Sequence, residues 1–173
     1  MTTATPSKLI GQCPPDFTFK VLGPNGASTS TRLKQILSNG LPTVVNFYTS
    51  WAWACPTTAK KIEAMASDPT YAEKVNFLLM NLRDDEGDEG DDRARSFGEK
   101  HGIKACKMCI LDPQNLPDAY QVRGISHTTL IIAKGRLRQN LDGNAELLRE
   151  QLDEVLSTPG AGADGAEVGT PRR

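Results

Sequence analysis

The sequence predicts an α/β fold, a three-layer α/β/α sandwich with a mixed central sheet and an N-terminal hairpin extension. Two compact apolar runs, one beginning after Pro42 and one over 75–82, have the length and composition of buried strands. Helical patterns alternate with these strands, and this alternation is typical of helices packed on a parallel sheet. Near the C-terminus, the segments 128–133 and 136–141 flank a Lys-Gly pair and predict an antiparallel hairpin.

The N-terminal half is predicted to contain the first hairpin, a short helix, a buried strand and a longer helix. Apolar and polar residues alternate over 17–21, and a Gly-Pro-Asn-Gly sequence follows as the turn. Thr31 is expected to cap a helix over 32–37, which an Asn-Gly pair ends. After the first buried strand, apolar residues at helical spacing predict a helix over 57–66.

The C-terminal half continues the alternation of strands and helices. Its predicted elements are a strand over 75–82, a helix over 93–101, a strand over 103–111, a short helix over 117–120, the C-terminal hairpin, and a final helix that opens at Gly143 or Asn144. These elements predict one domain over residues 10–156, preceded by a flexible N-terminus at 1–9. Residues 157–173 are rich in Gly, Ala, Pro and charged residues and are expected to form a disordered tail.

Charge and composition weigh against several classes of protein. The formal net charge is −1, which gives no indication of nucleic acid as a partner. No apolar run approaches the ~20 residues that span a bilayer, and the N-terminus lacks the apolar core of a secretory signal. We therefore expect no membrane partner and a cytoplasmic location, with an organelle as the open alternative. The sequence leaves the oligomeric state undetermined.

An acidic run follows the second buried strand. Seven of the nine residues from 84 to 92 are Asp or Glu, which predicts a solvated loop. Because this strand is expected to be parallel to the first buried strand, the run should emerge at the sheet edge that holds Cys55. Negative charges there would raise the pKa of the thiol and favour a basic partner protein.

The run from Val44 to Cys55 carries a first resemblance to a known family. Its residues Val-Val-Asn-Phe-Tyr-Thr-Ser-Trp-x-x-x-Cys resemble the active-site strand and turn of thioredoxin-like proteins, in which a tryptophan precedes a Cys-x-x-Cys pair. Ala52 stands at the position of the first, attacking cysteine, and Cys55 stands at that of the second, resolving cysteine. The resemblance implies a thioredoxin-like fold and thiol–disulfide chemistry. The sequence does not distinguish a natural Ala52 from an engineered replacement of cysteine.

Two further stretches resemble the redoxin subgroup of this superfamily, which includes the TlpA-like thiol oxidoreductases and the AhpC/TSA-like peroxiredoxins. The segment 10–19 contains the Pro-x-Phe sequence that leads into the N-terminal hairpin of these proteins. The segments 96–103, 110–113 and 120–132 resemble the second half of the TlpA-type domain. All of these motifs occur in the family's order, so the resemblance covers residues 10–156.

Cys55 is the leading candidate for a catalytic residue. A helix whose first turn holds this cysteine places its sulfur near free backbone N–H groups, which lower the thiol pKa and increase the reactive thiolate. A buried structural thiol is the alternative, because free cysteines are among the most buried residues. We expect a thiol–disulfide oxidoreductase that acts on protein partners through Cys55 and uses no cofactor.

Two other functions stay open. The sequence Ala52-x-x-Cys55-Pro56-Thr57 resembles the Thr-x-x-Cys-Pro-Thr pattern of peroxiredoxins, in which the cysteine attacks peroxide, with alanine in place of the first threonine. A thiol peroxidase is therefore one alternative. The other is a redox-inactive thioredoxin-fold module with an interaction or structural role, because the attacking cysteine is missing.

The loop over 125–128 completes the candidate site. Thioredoxin-like proteins have a cis-proline just before this strand, facing the active-site thiol, whereas Ile-Ser-His-Thr contains no proline, so we expect trans peptide bonds here. His127 is expected either to act beside Cys55 as a base or an ion-pair partner, or to be a solvent-exposed loop residue. The expected substrate-docking residues are Trp51, Trp53, Ser126 and Thr128.

Cys106 and Cys109 form a second Cys-x-x-Cys sequence inside a predicted strand. Strand residues three apart point to opposite faces and lie roughly 10 Å apart, whereas a disulfide needs Cα atoms within about 7 Å. We therefore expect these cysteines to pack in the core without bridging. A zinc site needs about four ligands, and the chain has two histidines, so we expect no metal.

Overall fold

The computed structural model describes residues 9–49, 55–83, 89–120, 122, 128–142 and 147–157. Its strands and helices follow the predicted order along the chain. They are β1 (Thr18–Leu22), β2 (Ser28–Arg32), α1 (Leu33–Leu37), β3 (Thr43–Tyr48), α2 (Cys55–Ser67), β4 (Asn76–Leu82), α3 (Glu89–Lys100), β5 (Lys107–Leu111), β6 (Thr128–Ala133), β7 (Arg136–Asp142) and α4 (Leu148–Ser157). The short helix predicted over 117–120 is a single 3₁₀ turn, Asp118–Tyr120.

The strands form one mixed sheet with the order β2-β1-β5-β4-β3-β6-β7. The three inner strands β3, β4 and β5 are parallel, and β6 and β7 extend the sheet antiparallel on one side. The N-terminal hairpin of β1 and β2 extends it on the other side through antiparallel pairing of β1 with β5. Both the mixed sheet and the hairpin extension were expected, and both are confirmed.

Successive residues of the buried strands point to opposite faces of the sheet, which divides the core in two. The core on the α2 face packs between the sheet and α2, α3 and α4, and the core on the α1 face packs against α1 and the 3₁₀ turn that contains Tyr120. The largest buried side chains on the α2 face are Tyr48, Ile62, Tyr71, Leu79 and Ile131. Those on the α1 face are Leu33, Phe47, Leu78, Met80, Leu111, Tyr120 and Leu130.

The start of α3 corrects the prediction for the acidic run. The helix begins at Glu89, four residues before the predicted start at Arg93, so the last acidic residues of the run belong to a helix. Asp91 and Asp92 lie in its first turn, where carboxylates interact favourably with the helix dipole. The earlier part of the run, residues 84–88, lies outside the described residues.

The start of β5 corrects a second prediction. The strand begins at Lys107, whereas the sequence predicted a strand from residue 103. The backbone N–H groups of residues 104–106 donate instead to the carboxylate of Glu63 on α2, at 2.7–2.9 Å. These donors are therefore unavailable to a neighbouring strand, and pairing with β4 starts only after them.

The cap of α1 is a third correction. The N-cap residue is Arg32, not Thr31, and it has no side-chain capping hydrogen bond. Asp16, which precedes β1, takes this role because its Oδ1 accepts from the backbone N–H of Lys34 at 2.9 Å. Its Oδ2 also lies 2.9 Å from Nε of Arg32. The cap is therefore supplied by the segment before β1.

The predicted flexible N-terminus and disordered tail fall almost wholly on residues 1–8 and 158–173, which lie outside the described residues. Ser157 is the last residue of α4, so that helix includes the first residue predicted to belong to the tail. Among the described helices, none combines the length and apolar character that a membrane span requires.

Candidate functional site around Cys55

Cys55 is the first residue of α2, and β3, in the interior of the sheet, ends seven positions earlier at Tyr48. The side chains of Ala59 and Ile62 continue the same helix face and are completely buried. Cys55 itself is only 1% exposed and belongs to the core on the α2 face. The thiol therefore lies inside the protein beneath the first turn of α2, near the carboxyl end of β3.

Burial determines the acidity of this thiol. It raises the pKa of Cys55 above its usual value, and the backbone N–H and the hydroxyl of Thr49 only partly offset the effect. The expectation that the start of a helix would lower this pKa is therefore wrong in direction. The free energy lost when the thiolate is removed from water exceeds the free energy gained from the nearby N–H groups.

On the sheet face beneath Cys55, the side chains change from apolar to polar toward the edge where the parallel strands end. Asn46 and Tyr48 of β3 follow Val44 on the α2 face, and in the parallel register Tyr48 lies opposite Asn81 of β4. Asn46 lies opposite Thr129 of β6, and its Nδ2 donates to the hydroxyl of Thr129 at 2.9 Å. Polar side chains within two otherwise apolar strands are the sequence signal for this patch, and none of them was among the predicted site residues.

Four polar atoms of this region have no hydrogen-bond partner among the described residues. They are Oδ1 of Asn46, Oη of Tyr48, Oγ1 of Thr49 and Nδ2 of Asn81, and they are four of six such buried atoms among the described residues. We call these four atoms the polar cluster. An unsatisfied buried polar group costs about 1–3 kcal/mol, and more than nine in ten buried groups in proteins are paired.

Two pairs of groups lie close together at this cluster. The carboxamide of Asn81 acts to lower the pKa of Tyr48, although burial raises that pKa further and dominates. The hydroxyl of Thr49 likewise faces the sulfur of Cys55. Neither Oη of Tyr48 nor Oγ1 of Thr49 has a partner in hydrogen-bond geometry among the described residues. The groups are therefore close neighbours within this buried region.

Most of the other predicted site residues lie outside the described residues. They are Trp51, Ala52, Trp53, Ser126 and His127. Thr128 is described at its backbone, where it begins β6 and pairs with Phe47 near the end of β3. The first residue of β6 thus lies at the sheet edge near Cys55. The roles predicted for these residues stay predictions.

The second Cys-x-x-Cys pair behaves as predicted. Cys106 lies in the core on the α2 face and Cys109 in the core on the α1 face, so the sheet separates them, and both are free thiols. Burial raises the pKa of Cys109 to about 12. Burial also raises the pKa of Cys106, and the neighbouring carboxylate of Glu63 adds to the effect. Both are therefore neutral core thiols at physiological pH.

No metal site is apparent in the part of the chain that the structure describes. There, no three side chains of His, Cys, Asp or Glu come together in a cluster that could hold an ion. Cys55 and Cys106 belong to the core on the α2 face, and Cys109 belongs to the core on the α1 face. The chemistry available at this site is therefore that of a single buried thiol with polar neighbours.

Comparison of the sequence with known proteins gives a partial match. No family model matches the chain. The thioredoxin-like protein HCF164, chloroplastic, of Oryza sativa subsp. japonica is 36% identical over 56 residues, which are 32% of this chain and 21% of that protein. The protein of the same name from Arabidopsis thaliana is 39% identical over 49 residues, which are 28% of this chain and 18% of that protein. The chain therefore matches about a fifth of the length of these curated relatives.

Solved structures are similar over most of the chain. The thioredoxin domain of a thiol-disulfide oxidoreductase from Bacteroides vulgatus has a TM-score of 0.62 at 13% identity, covering 88% of this chain and 98% of that one. StoA from Bacillus subtilis has a TM-score of 0.58 at 20% identity, covering 80% and 97%. Reduced 2-Cys peroxiredoxin from Plasmodium vivax has a TM-score of 0.64 at 17% identity, covering 85% and 96%. At such identities the likeness establishes a shared fold.

Proposed function

Because the chain has a thioredoxin-like fold, we propose that it is a thiol–disulfide oxidoreductase that acts on protein partners through Cys55. The observation that carries this proposal is the position of Cys55 as the first residue of α2, after the interior strand β3. Several solved proteins with this fold are named as thiol–disulfide oxidoreductases or interchange proteins. The local similarity to thioredoxin-like proteins also supports the proposal.

The proposed exchange needs one thiol of this chain. The Cys55 thiolate attacks a partner disulfide, a new S–S bond joins Cys55 to one partner sulfur, and the other partner sulfur leaves as a thiolate. A second thiol, from the partner or from a small thiol reductant, then attacks the mixed disulfide at the partner sulfur. That thiol ends in a disulfide with the partner sulfur, and Cys55 leaves as a thiolate.

The raised pKa sets the pH dependence of this exchange. Since burial holds the pKa of Cys55 above its usual value, only a small fraction of the thiol is ionised at neutral pH. The first step should therefore accelerate as the pH rises toward that pKa. Disulfide exchange at neutral pH also requires that the partner reach a sulfur that is 1% exposed, which local opening at the start of α2 would provide.

A redox-inactive interaction module is the second candidate, and the burial of Cys55 favours it. A sulfur that is both inaccessible and largely protonated has the properties of a structural core thiol. Ala52 at the position of the attacking cysteine points in the same direction. In this case the fold would bind a partner without exchange chemistry.

Mixed-disulfide trapping separates these functions. The reduced protein is incubated with oxidised glutathione and with a disulfide-linked peptide from pH 7 to pH 10, and the modified cysteine is identified by mass spectrometry. The matched variants are Cys55→Ser, which should abolish the adduct, and Cys13→Ser, which removes an exposed thiol and should keep it. Ala52→Cys should give faster turnover with a thiol reductant if the site is built for exchange.

Three results would change this conclusion. An adduct that forms at Cys13 but not at Cys55, and is unchanged in Cys55→Ser, contradicts the proposed function. Absence of any adduct at Cys55 up to pH 10, with Ala52→Cys equally inactive, supports the redox-inactive module. Consumption of hydrogen peroxide with a sulfenic acid at Cys55, and without disulfide exchange, would indicate the thiol peroxidase instead.

We also propose a reducing compartment such as the cytoplasm, and a partner with a basic surface. No disulfide joins any of the four cysteines, which is the usual state in such a compartment. The first turn of α3, with Asp91 and Asp92, follows β4 at the sheet edge that Cys55 occupies. A basic partner would be attracted to the exposed Asp92, whereas Asp91 already pairs with Lys20 at 3.7 Å. Neutralisation of Asp92 should therefore slow association of such a partner at low salt.

A further inference from the structure

A β-bulge interrupts the C-terminal hairpin at Arg138. Ile131 of β6 pairs with Gln139 and Ile132 pairs with Leu137, so the intervening Arg138 has no partner residue on β6. A bulge of this kind inserts one extra residue into a strand and redirects the side chains around it. Bulges are over-represented beside functional sites, so the surroundings of Arg138 are a place to look for one.

The bulge reverses the alternation of side chains along β7. Leu137 before the bulge belongs to the core on the α1 face, whereas Leu141 after it belongs to the core on the α2 face. In a regular strand, residues four apart point to the same face, and neighbours point to opposite faces. Arg138 and Gln139 are neighbours, yet both line the same cleft. The bulge therefore brings two polar side chains together on one face of the hairpin.

The cleft lies between the C-terminal hairpin and α4. Arg138 and Gln139 line it from β7, and Gln151 and Glu154 line it from α4. Its volume is about 230 Å³. Pockets for drug-sized ligands usually measure ~300–1,000 Å³, so this space suits a smaller molecule or a single residue of a larger one.

The guanidinium of Arg138 is anchored at one nitrogen. Its Nε donates to the carbonyl oxygen of Ala133 at 3.3 Å, and the residue is half-buried. Its two Nη groups make no hydrogen bond or ion pair with any other described residue. The paired N–H groups of a guanidinium match the two oxygens of a carboxylate. Arg138 thus provides the cleft with an oriented pair of donors.

The charges around the cleft favour a ligand with one negative charge. Lys134 and Arg138 are positive and Glu154 is negative, so these side chains have a formal net charge of +1. Lys134 and Glu154 have interactions of their own, which leaves Arg138 as the cation that a ligand would meet. The carboxamides of Gln139 and Gln151 both donate and accept, as an amide of a ligand does.

We propose that this cleft binds a carboxylate with a neighbouring amide group, the chemistry shared by an N-acylated amino acid and the C-terminal residue of a polypeptide. The two Nη groups of Arg138 donate to the carboxylate oxygens, and Gln139 and Gln151 exchange hydrogen bonds with the amide. A phosphate fits less well, because it brings up to two negative charges against a net charge of +1.

The cleft lies at the end of the sheet opposite Cys55. Its residue Ala133 is the last of β6, and the preceding Ile132 pairs with Thr43, the first residue of β3. Cys55 follows the other end of β3, so the length of that strand separates the two sites. Binding at the cleft is therefore independent of the proposed disulfide exchange, and either can fail without the other.

An NMR titration of the full chain with N-acetylglycine tests this site. The readout is the Nε–Hε signal of Arg138, assigned by its absence from Arg138→Lys, and we expect a Kd of the order of 1 mM for so small a probe. N-acetylglycinamide lacks the carboxylate and should leave the signal unchanged. Equal shifts with the two probes, or no shift up to about 50 mM N-acetylglycine, overturn the inference.

Three variants test the assigned residues with the same probe, followed by the backbone amide signals of β7. Arg138→Lys keeps the charge but loses the paired donors, so it should weaken binding about tenfold. Gln151→Glu places a carboxylate in the cleft and should weaken binding to at least the same extent. Arg136→Gln is the matched control, because Arg136 lies on the same strand but donates to the carbonyl oxygen of Gly11 outside the cleft.

Wild-type affinity in Arg138→Lys overturns the inference, as does an equal loss in Arg136→Gln, which would indicate attraction by general positive charge. Urea unfolding shows that each variant is folded. If Arg138→Lys does not fold, Gln151→Glu decides, and its binding the probe as tightly as the wild type also overturns the inference.

An acetylated tetrapeptide with a free C-terminal glycine distinguishes the two sources of the carboxylate. Affinity about tenfold tighter than that of N-acetylglycine, lost when the C-terminus is amidated, assigns the cleft to a polypeptide end. Affinity equal to or weaker than that of N-acetylglycine assigns it to a small molecule. Both results support the carboxylate site.

Discussion

At the residue scale, Cys55 shows how two local effects compete. The start of a helix favours a thiolate through free N–H groups, while exclusion of water favours the neutral thiol. The sulfur is 1% exposed, and the direction of its pKa shift shows that burial dominates. A cysteine at this junction reacts only if its surroundings open or supply hydrogen bonds to the thiolate. The polar cluster beside Cys55 therefore bears on its reactivity.

Glu63 is a second residue whose surroundings decide its role. Its carboxylate accepts from the backbone N–H groups of Lys104, Ala105 and Cys106 at 2.8, 2.7 and 2.9 Å. Partial burial acts to raise the pKa of Glu63, but these hydrogen bonds together outweigh it and hold the pKa below its usual value. The carboxylate thus fastens the segment before β5 to α2.

We predict that Glu63→Gln destabilises the protein by about 1–3 kcal/mol at pH 7, because the amide NH₂ cannot accept from the N–H of Cys106. A carboxylate with a lowered pKa contributes stability above its unfolded pKa of about 4.3, and this contribution is lost as the pH falls through its folded pKa. The stabilities of the variant and the wild type should therefore converge as the pH falls below the lowered folded pKa of Glu63. Urea unfolding as a function of pH measures both effects.

The matched control for Glu63→Gln is Glu99→Gln, which changes an exposed residue of α3. It should alter stability by no more than about 0.5 kcal/mol. Equal effects of the two substitutions would contradict the role assigned to Glu63.

At the element scale, α1 depends on a residue outside its own segment. Thr31 has the side chain that commonly caps a helix, but it lies in β2, and its hydroxyl donates to Oε1 of Gln35. Asp16 is 18 positions from Lys34 and reaches its N–H only because β1 and β2 pair. The extended conformation of Thr31 within the hairpin leaves the capping position to Arg32.

We predict that Asp16→Ala costs about 1 kcal/mol of stability, the usual effect of losing a helix cap. Thr31→Ala removes the residue that the sequence indicated and should cost less than half as much, since its hydrogen bond is exposed. Chemical unfolding of both variants tests the assignment. A larger loss for Thr31→Ala than for Asp16→Ala would show that Thr31 is the more important residue.

At the scale of the whole molecule, several buried thiol and phenol groups make the stability of the fold depend on pH in the same direction. Burial raises the pKa of Cys55, Cys106 and Cys109, and it also raises the pKa of Tyr48 and Tyr120. In the unfolded chain, a thiol ionises near pH 8.5. Above that pH the folded state holds more protons than the unfolded state, so stability falls as the pH rises.

We predict a loss of stability above pH 9 to which Cys109 contributes about 1.4 kcal/mol per pH unit until its folded pKa is reached. Cys109→Ala should lower stability at pH 7 through the cavity it leaves, and should also flatten the decline between pH 9 and pH 11. Cys13→Ser removes an exposed thiol and should keep the wild-type slope. A slope in Cys109→Ala equal to that of the wild type would contradict this account.

Local patterns in the sequence determine a large part of this fold. Strand periodicity predicts Cys106 and Cys109 on opposite faces, and they do lie there, although β5 begins only at Lys107. The Lys-Gly pair gives the β6–β7 turn, where both residues have positive φ values of 56° and 67°. The order of strands and helices follows from the same short-range signals. These features depend on neighbouring residues, whose spacing is visible without any knowledge of long-range contacts.

The tertiary structure alone decides the chemistry of the site. Burial of Cys55, the capping of α1 by Asp16 and the attachment of Glu63 to the segment before β5 all join residues that are far apart in sequence. The polar cluster exists because the register of β3 and β4 places Tyr48 opposite Asn81. Desolvation and hydrogen bonding depend on which segments meet, so the sequence locates the candidate cysteine, while the packing around it sets its pKa.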